Sequence, residues 1–203
     1  MKVVAPVVYP LNLLRDDITG SAKVSVIIDP EGNVREVQIL ETTQPEFGLA
    51  TRGMMQSWEF EPATKNGKRT WSFFTLEQEF NKDASETGIG QPANEILRKL
   101  KSGHSDIHTT QALDSLPVPL YKPVPVYPPH LVDEGIGDQV MVEFFIDEEG
   151  TVQLPYIVEA KNDELAWAAL TAVSRWHFEP PLRQGRAVIV RARLPMTFSP
   201  PKM

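Results

Sequence analysis

The five residues "WEFEP" at 58–62 return, with one letter changed, as "WHFEP" at 176–180, and this echo decides how the chain is read. The offset of 118 (58 to 176) also carries "YP" from 9–10 to 127–128 and "IIDPEGNV" at 27–34 to "FIDEEGTV" at 145–152. It carries "NGK" at 66–68 to "QGR" at 184–186, and Phe80 to Phe198. A match without gaps over that span means two copies of one fold, and missing such a duplication would miscall the whole architecture. The expected division is a first domain at 1–81, a polar linker with a short helix at 82–116, and a second domain with a Pro-rich leader at 117–203. The repeat is also a filter. A residue the fold needs should stand in both copies, whereas one used only by a single copy need not.

Within a copy, "AKVSVIID" places Val24, Val26 and Ile28 on one face, and Val37 and Ile39 continue the period-two pattern in the next run. Between the runs, "DPEGN" and its counterpart "DEEGT" read as hairpin turns with Gly32 and Gly150 at the positive-φ position; the ligand spacing of an EF-hand is missing. Next, Leu165, Ala168, Ala169, Ala172, Val173 and Trp176 form a helical stripe, with Asn162 or Asp163 as its N-cap. Copy one repeats the stripe with Phe47, Ala50, Met54, Met55 and Trp58. It carries Pro45 at the entrance and Gly53 inside, and a Gly costs about 1 kcal/mol against Ala in a helix, so the second helix is expected to be the firmer. The echoed phrase is then a corner. Trp58 and Trp176 end the stripe, Phe60 and Phe178 turn inward, and Pro62 and Pro180 forbid further helix.

A third strand follows in "RTWSFFTLEQEF" and "AVIVRARLPMTF", the latter alternating Val188, Val190, Ala192, Leu194, Met196 and Phe198; Pro195 places it at a sheet edge. Strand, strand, helix, strand gives an α+β unit, a three-stranded antiparallel or mixed sheet of order 2-1-3 with one helix packed on a face. In the linker, "PANEILRKLKSG" reads as a helix whose Ile96, Leu97 and Leu100 dock on either domain, and "PVPLYKPVPVYPP" reads as an extended polyproline leader.

Twenty-seven acidic against 20 basic side chains give a net charge of −7 and no basic stripe, which argues against nucleic acid as a partner. The chain has no Cys, so thiolate nucleophiles, disulfides and sulfur metal sites are excluded. The opening "MKVVAPVVYP" is shorter in apolar length than a signal core of ~7–15 residues or a membrane span of ~20. Membrane association is therefore expected only through an anchor absent from this chain. His177 faces the solvated side of the corner, since its counterpart is Glu59. His104 and His108 have i, i+4 spacing, but Gly103 and the polar surroundings argue against a metal clamp there. No nucleophile motif, phosphate-cradling loop or paired carboxylate recurs in both copies, so no catalytic residue, metal or cofactor is expected. Trp71, without an aromatic counterpart at Ile189, is a candidate exposed binding residue.

Taken together, Tyr9-Pro10 and Tyr127-Pro128, the turn glycines Gly32 and Gly150, and the triplets Trp58, Phe60, Pro62 and Trp176, Phe178, Pro180 resemble the C-terminal domain of the TonB energy-transducer family. The resemblance covers about residues 3–80 and 117–198, as two tandem copies. It implies a non-enzymatic, periplasmic interaction module, inner-membrane anchored in the natural protein. Such a module binds an extended peptide of an outer-membrane TonB-dependent transporter, or of another envelope protein, by edge-strand addition. Carried over by position, the pairing segments are Trp71 to Gln78 and Ile189 to Met196, with Trp71, Phe73, Thr75, Ile189, Arg191 and Arg193 as site residues. The alternative is a structural envelope scaffold or homodimer whose sheet edges pair with each other. A metal-dependent hydrolase is a third reading, and it predicts a tightly held metal or a deep polar pocket.

Overall fold

The computed structural model describes residues 4–82, 89–103 and 106–200. Copy one runs α1 (Leu11–Arg15), β1 (Gly20–Ile28), β2 (Val34–Thr42), α2 (Pro45–Gln56) and β3 (Ser72–Phe80). The linker adds α3 (Gln91–Ser102) and β4 (Ile107–Thr109). Copy two runs β5 (Pro119–Tyr121), α4 (Pro129–Asp133), β6 (Asp138–Ile146), β7 (Val152–Glu159), α5 (Asp163–Val173), β8 (His177–Phe178) and β9 (Ile189–Phe198). A two-residue ribbon precedes the last strand of each copy, Thr64–Lys65 with Lys68–Arg69 and Leu182–Arg183 with Arg186–Ala187.

The sheets are antiparallel with orders β2-β1-β3 and β7-β6-β9, the 2-1-3 arrangement expected from the crossover. Copy two gains a fourth strand: β4 of the linker lies parallel to the start of β9. The edge position expected for the third strand therefore holds for β3 and only for the later part of β9. Pro195 sits in that later part, opposite Met141, where a missing N–H interrupts no ladder on the outer side. The short helices α1 and α4 were not foreseen. Each starts at the Tyr-Pro phrase, with Pro10 and Pro128 as the N-cap residues.

Why the corner phrase recurs is answered by hydrogen bonds made in both copies. The Trp58 indole N–H donates to Ala5 O at 3.0 Å, and that of Trp176 to Pro123 O at 3.0 Å, so each Trp pins the leader strand to the end of its helix. The backbone N–H of Phe60 donates to Gly32 O (3.0 Å) and that of Phe178 to Gly150 O (2.8 Å), locking the corner onto the hairpin turn. Gly32 and Gly150 have φ of 95° and 88°, and a Cβ on them would fall 2.2 and 2.0 Å from Phe60 O and Phe178 O. Only glycine fits such a close approach. Asp29 accepts from the backbone N–H groups of Glu31 and Asn33, as Asp147 does from those of Glu149 and Thr151. The Tyr9 hydroxyl donates to Ile18 O (2.8 Å), and the Tyr127 hydroxyl to Ile136 O.

The two helices pack on each other, and here the cost assigned to Gly53 is explained. A Cβ on Gly53 would lie 3.1 Å from the Trp167 Cβ and 3.1 Å from the Thr171 hydroxyl, so its absence lets α2 approach α5 closely. Thr171 is the repeat counterpart of Gly53 (53 to 171), so equivalent positions meet as at a two-fold axis. Arg52 spans the contact to Glu164 at 2.6 Å. Covered by its own sheet on one side and by α2 on the other, α5 is buried throughout Leu165–Val173, and Asn162 caps it by accepting from the Leu165 N–H at 3.0 Å. One cluster of buried apolar side chains accordingly runs through both copies, from Tyr9, Phe47 and Phe80 to Phe144, Trp176 and Phe198.

Candidate interaction edges

In copy one, β3 pairs with β1 from Ser72↔Ile28 to Phe80↔Gly20. Among the described residues no strand pairs with its other side. Alternation turns Phe74 and Leu76 toward the small core of Val24, Val26, Ile28, Met54 and Met55, and sends Phe73 and Thr75 to the opposite face. Phe73 is 82% exposed and Trp71 58%, with Ile27, the cross-strand partner of Phe73, also exposed. The result is an unpaired strand edge beside an apolar face. Within β3 no Pro blunts that edge, and the acidic Glu77 and Glu79 lie at its far end.

Copy two is built differently at the same positions. The linker strand occupies the start of β9, with Ile107, His108 and Thr109 opposite Ile189, Val190 and Arg191. Ile189 is consequently buried. Arg191 and Arg193 are turned to Glu143, at 3.9 Å and 2.9 Å, and the Tyr156 hydroxyl donates to the same carboxylate. Glu143 is buried, and its charge is matched by two guanidinium groups and one hydroxyl. Burial, and then the bond to Glu143, push Tyr156 up to about 12. In copy one these four positions are Phe73, Thr75, Ser25 and Gln38, so the ion cluster has no equivalent there. On the same side of the second sheet, α3 packs near β7 with Ala93 and Ile96 buried. Its Leu100 lines a groove of about 500 Å³ with Phe145, Tyr156, Arg191 and, from copy one, Arg15.

The linker is fastened beyond β4. The Asp114 carboxylate accepts from the backbone N–H groups of Gln184 (2.7 Å) and Gly185 (2.8 Å) at the tip of the ribbon turn, and these bonds hold its pKa below the usual carboxylate range. The Asp114 N–H donates to Leu182 O at 2.8 Å. Further on, β5 pairs with β8, Tyr121 opposite His177 and Pro119 opposite Phe178.

The structure thus sets Trp71, Phe73 and Thr75 along an open edge, and divides Ile189, Arg191 and Arg193 between a strand partner and an ion cluster. Sequence reasoning missed β4, Asp114 and Glu143. The first two lie in the linker, which has no repeat counterpart for comparison, and the third stands opposite Ser25, so the filter on shared residues passed over it. His177 bridges Thr151 in the backbone, as Glu59 bridges Asn33, which makes this position part of the corner. His108 lies on β4 opposite Val190, while His104 falls outside the described residues. Among the described residues no helix is long and apolar enough to cross a membrane.

A family model described as "Gram-negative bacterial TonB protein C-terminal" matches residues 5–81 and again 123–200. The solution NMR structure of the Pseudomonas aeruginosa TonB CTD is 27% identical, covering 43% of this chain and 89% of that one, with a TM-score of 0.39. No curated protein matches the chain.

Proposed function

The chain belongs to the Gram-negative TonB C-terminal family in two tandem copies, and on that premise we propose that it is a periplasmic peptide-capture module whose working edge is β3 of copy one. The family is one of non-enzymatic interaction domains of the Gram-negative envelope. The observation that carries the reading is the unpaired Ser72–Phe80 edge, flanked by the exposed Trp71 and Phe73. A strand edge left open next to large apolar side chains is an aggregation liability unless something covers it in use. An extended segment of an outer-membrane transporter, or of another envelope protein, would add to β3 through backbone hydrogen bonds, with Trp71 and Phe73 packing its side chains.

In-cell photo-crosslinking from a probe at Phe73, with Arg191 as the second position, tests this. Adducts from Phe73 with the N-terminal region of an outer-membrane transporter are the expected outcome. Adducts only between copies of the chain would sink capture and favour the scaffold reading. One observation already speaks for that second reading: the edge of copy two is paired within the chain itself.

A further inference from the structure

The linker segment on copy two displays what a strand-three edge of this protein accepts, and copy one has the same receiving parts without an occupant among the described residues. The ribbon turns are alike. Gln184 and Gly185 have φ of 51° and 72°, Asn66 and Gly67 have 52° and 74°, and each pair closes a two-residue hairpin. In copy two the turn's two N–H groups point at one carboxylate, that of Asp114. That carboxylate follows by seven positions (107 to 114) the residue paired with the first residue of β9. In copy one the turn is exposed and is flanked by Lys65, Lys68 and Arg69, a more basic rim than the Arg183 and Arg186 of copy two.

We propose that copy one binds an acidic extended segment running parallel to β3, with an apolar side chain against Trp71 and a carboxylate about seven residues later on the Asn66 and Gly67 N–H groups. The inference rests on the reading of β3 as a capture edge and adds the direction, register and charge of what it captures. Three features favour this occupant. The parallel pairing of Ile107 with Ile189 maps onto Trp71 (71 to 189), where a larger and more exposed apolar surface awaits a partner. Successive backbone N–H groups in a left-handed turn form an anion-binding concavity, and its counterpart holds a carboxylate in this molecule. The lysines and arginine beside the turn add charge complementarity that steers an acidic segment to it.

The test uses the full chain and a synthetic peptide copying residues 106–114, DIHTTQALD, with blocked ends so that its side chains supply the only carboxylates. Amide shifts in ¹⁵N NMR are expected together at Asn66, Gly67 and Trp71 to Phe73. A peptide carrying Asp114→Asn should keep the strand shifts, lose those of the turn and bind about tenfold more weakly, as loss of a charged hydrogen-bond acceptor dictates. The chain variant Lys65→Glu with Lys68→Glu should weaken the original peptide comparably while leaving the dispersed spectrum of the folded chain intact. Equal affinity of the two peptides overturns the carboxylate site. Absence of shifts at Trp71 to Phe73 at millimolar peptide, or shifts confined to Ile189 to Arg191, overturns the register. Either failure, beside intact crosslinking from Phe73 in cells, would leave capture by β3 standing and remove only the ligand chemistry.

Discussion

The two copies are alike where the fold is held together and unlike where it meets its surroundings. Both make the Trp-to-leader bond, the Asp-capped hairpin turn and the Phe-to-Gly lock. Around strand three they part: copy one shows Phe73 and Trp71 to solvent, whereas copy two places Arg191 on a buried Glu143 and receives a strand from the linker. Duplication lets one copy keep an open edge while the other becomes an internally satisfied support. The difference teaches that two copies of one topology need only a few changed side chains and one added strand to exchange an open edge for a closed one.

The largest effect that would break the comparison lies at the corner. Trp176 is 2% exposed, stacks edge-on with Phe144 and bonds the leader, while Trp58 is half-buried against a smaller core. Trp176→Ala should lower stability by about 3–5 kcal/mol, and Trp58→Ala by less, about 2 kcal/mol, because less packing is lost. Urea unfolding followed by circular dichroism reads both. Equal losses would mean that the copies share one cooperative unit so fully that local burial does not matter. The next effect concerns the helix contact. Gly53→Leu must push against the Trp167 backbone and the Thr171 side chain, so a loss of about 1–3 kcal/mol is expected, together with two unfolding transitions where the coupled parent is expected to show one. No change in the transition would sink the idea that this glycine couples the copies.

Much of this was legible in the sequence because periodicity and repetition report local rules. Val24, Val26 and Ile28, the turn glycines and the helical stripes each state a face or a φ angle, and the copies confirm one another. The contact between copies was not legible. Gly53 looked like a weak spot in a helix because the sequence does not reveal that Thr171 lies across from it. Of the candidate edges, Trp71 stands out by its lack of an aromatic counterpart, but which edge stands open depends on β4, a three-residue strand in unique sequence. Short strands of that kind are defined by the partner they find, and local pattern carries almost none of that information.

Acid sharpens the comparison at the hairpin turns. Burial alone would raise the pKa of Asp29, yet bonds from the side chain and backbone of Asn33, from Arg35 and from the Glu31 N–H outweigh it and bring the pKa down from 3.8 to about 2. A carboxylate held lower in the folded chain than in the unfolded one stabilises fully above the unfolded value. That contribution, about 1–2 kcal/mol, is lost as pH falls from roughly 4 through 2. The variant Asp29→Asn should therefore show a shallower fall in urea midpoint between pH 5 and pH 2 than the parent chain. Parallel slopes would show that the Asp29 network does not set the acid limit of copy one.

The smallest effect is local and bears most directly on the difference between the edges. Asp114 is exposed and ties the linker to the ribbon turn through two backbone N–H groups, so Asp114→Ala should leave the global midpoint where it is and act on β4 alone. Backbone amides of Val190 and Arg191 are expected to exchange slowly in the parent, more slowly than those of Ser72 and Phe73, because only the former have a strand on each side. In the variant the protection of the first set should fall about tenfold toward that of the second, as loosening of the tether lets β4 detach more often. Hydrogen exchange read by NMR or mass spectrometry resolves these segments in one experiment. If protection at Val190 and Arg191 is unchanged, pairing through Ile107 to Thr109 suffices by itself and the edge of copy two is closed independently of its tether. If the two edges exchange alike in the parent, the linker strand does not distinguish the copies, and the asymmetry on which the proposed peptide capture by copy one rests is lost.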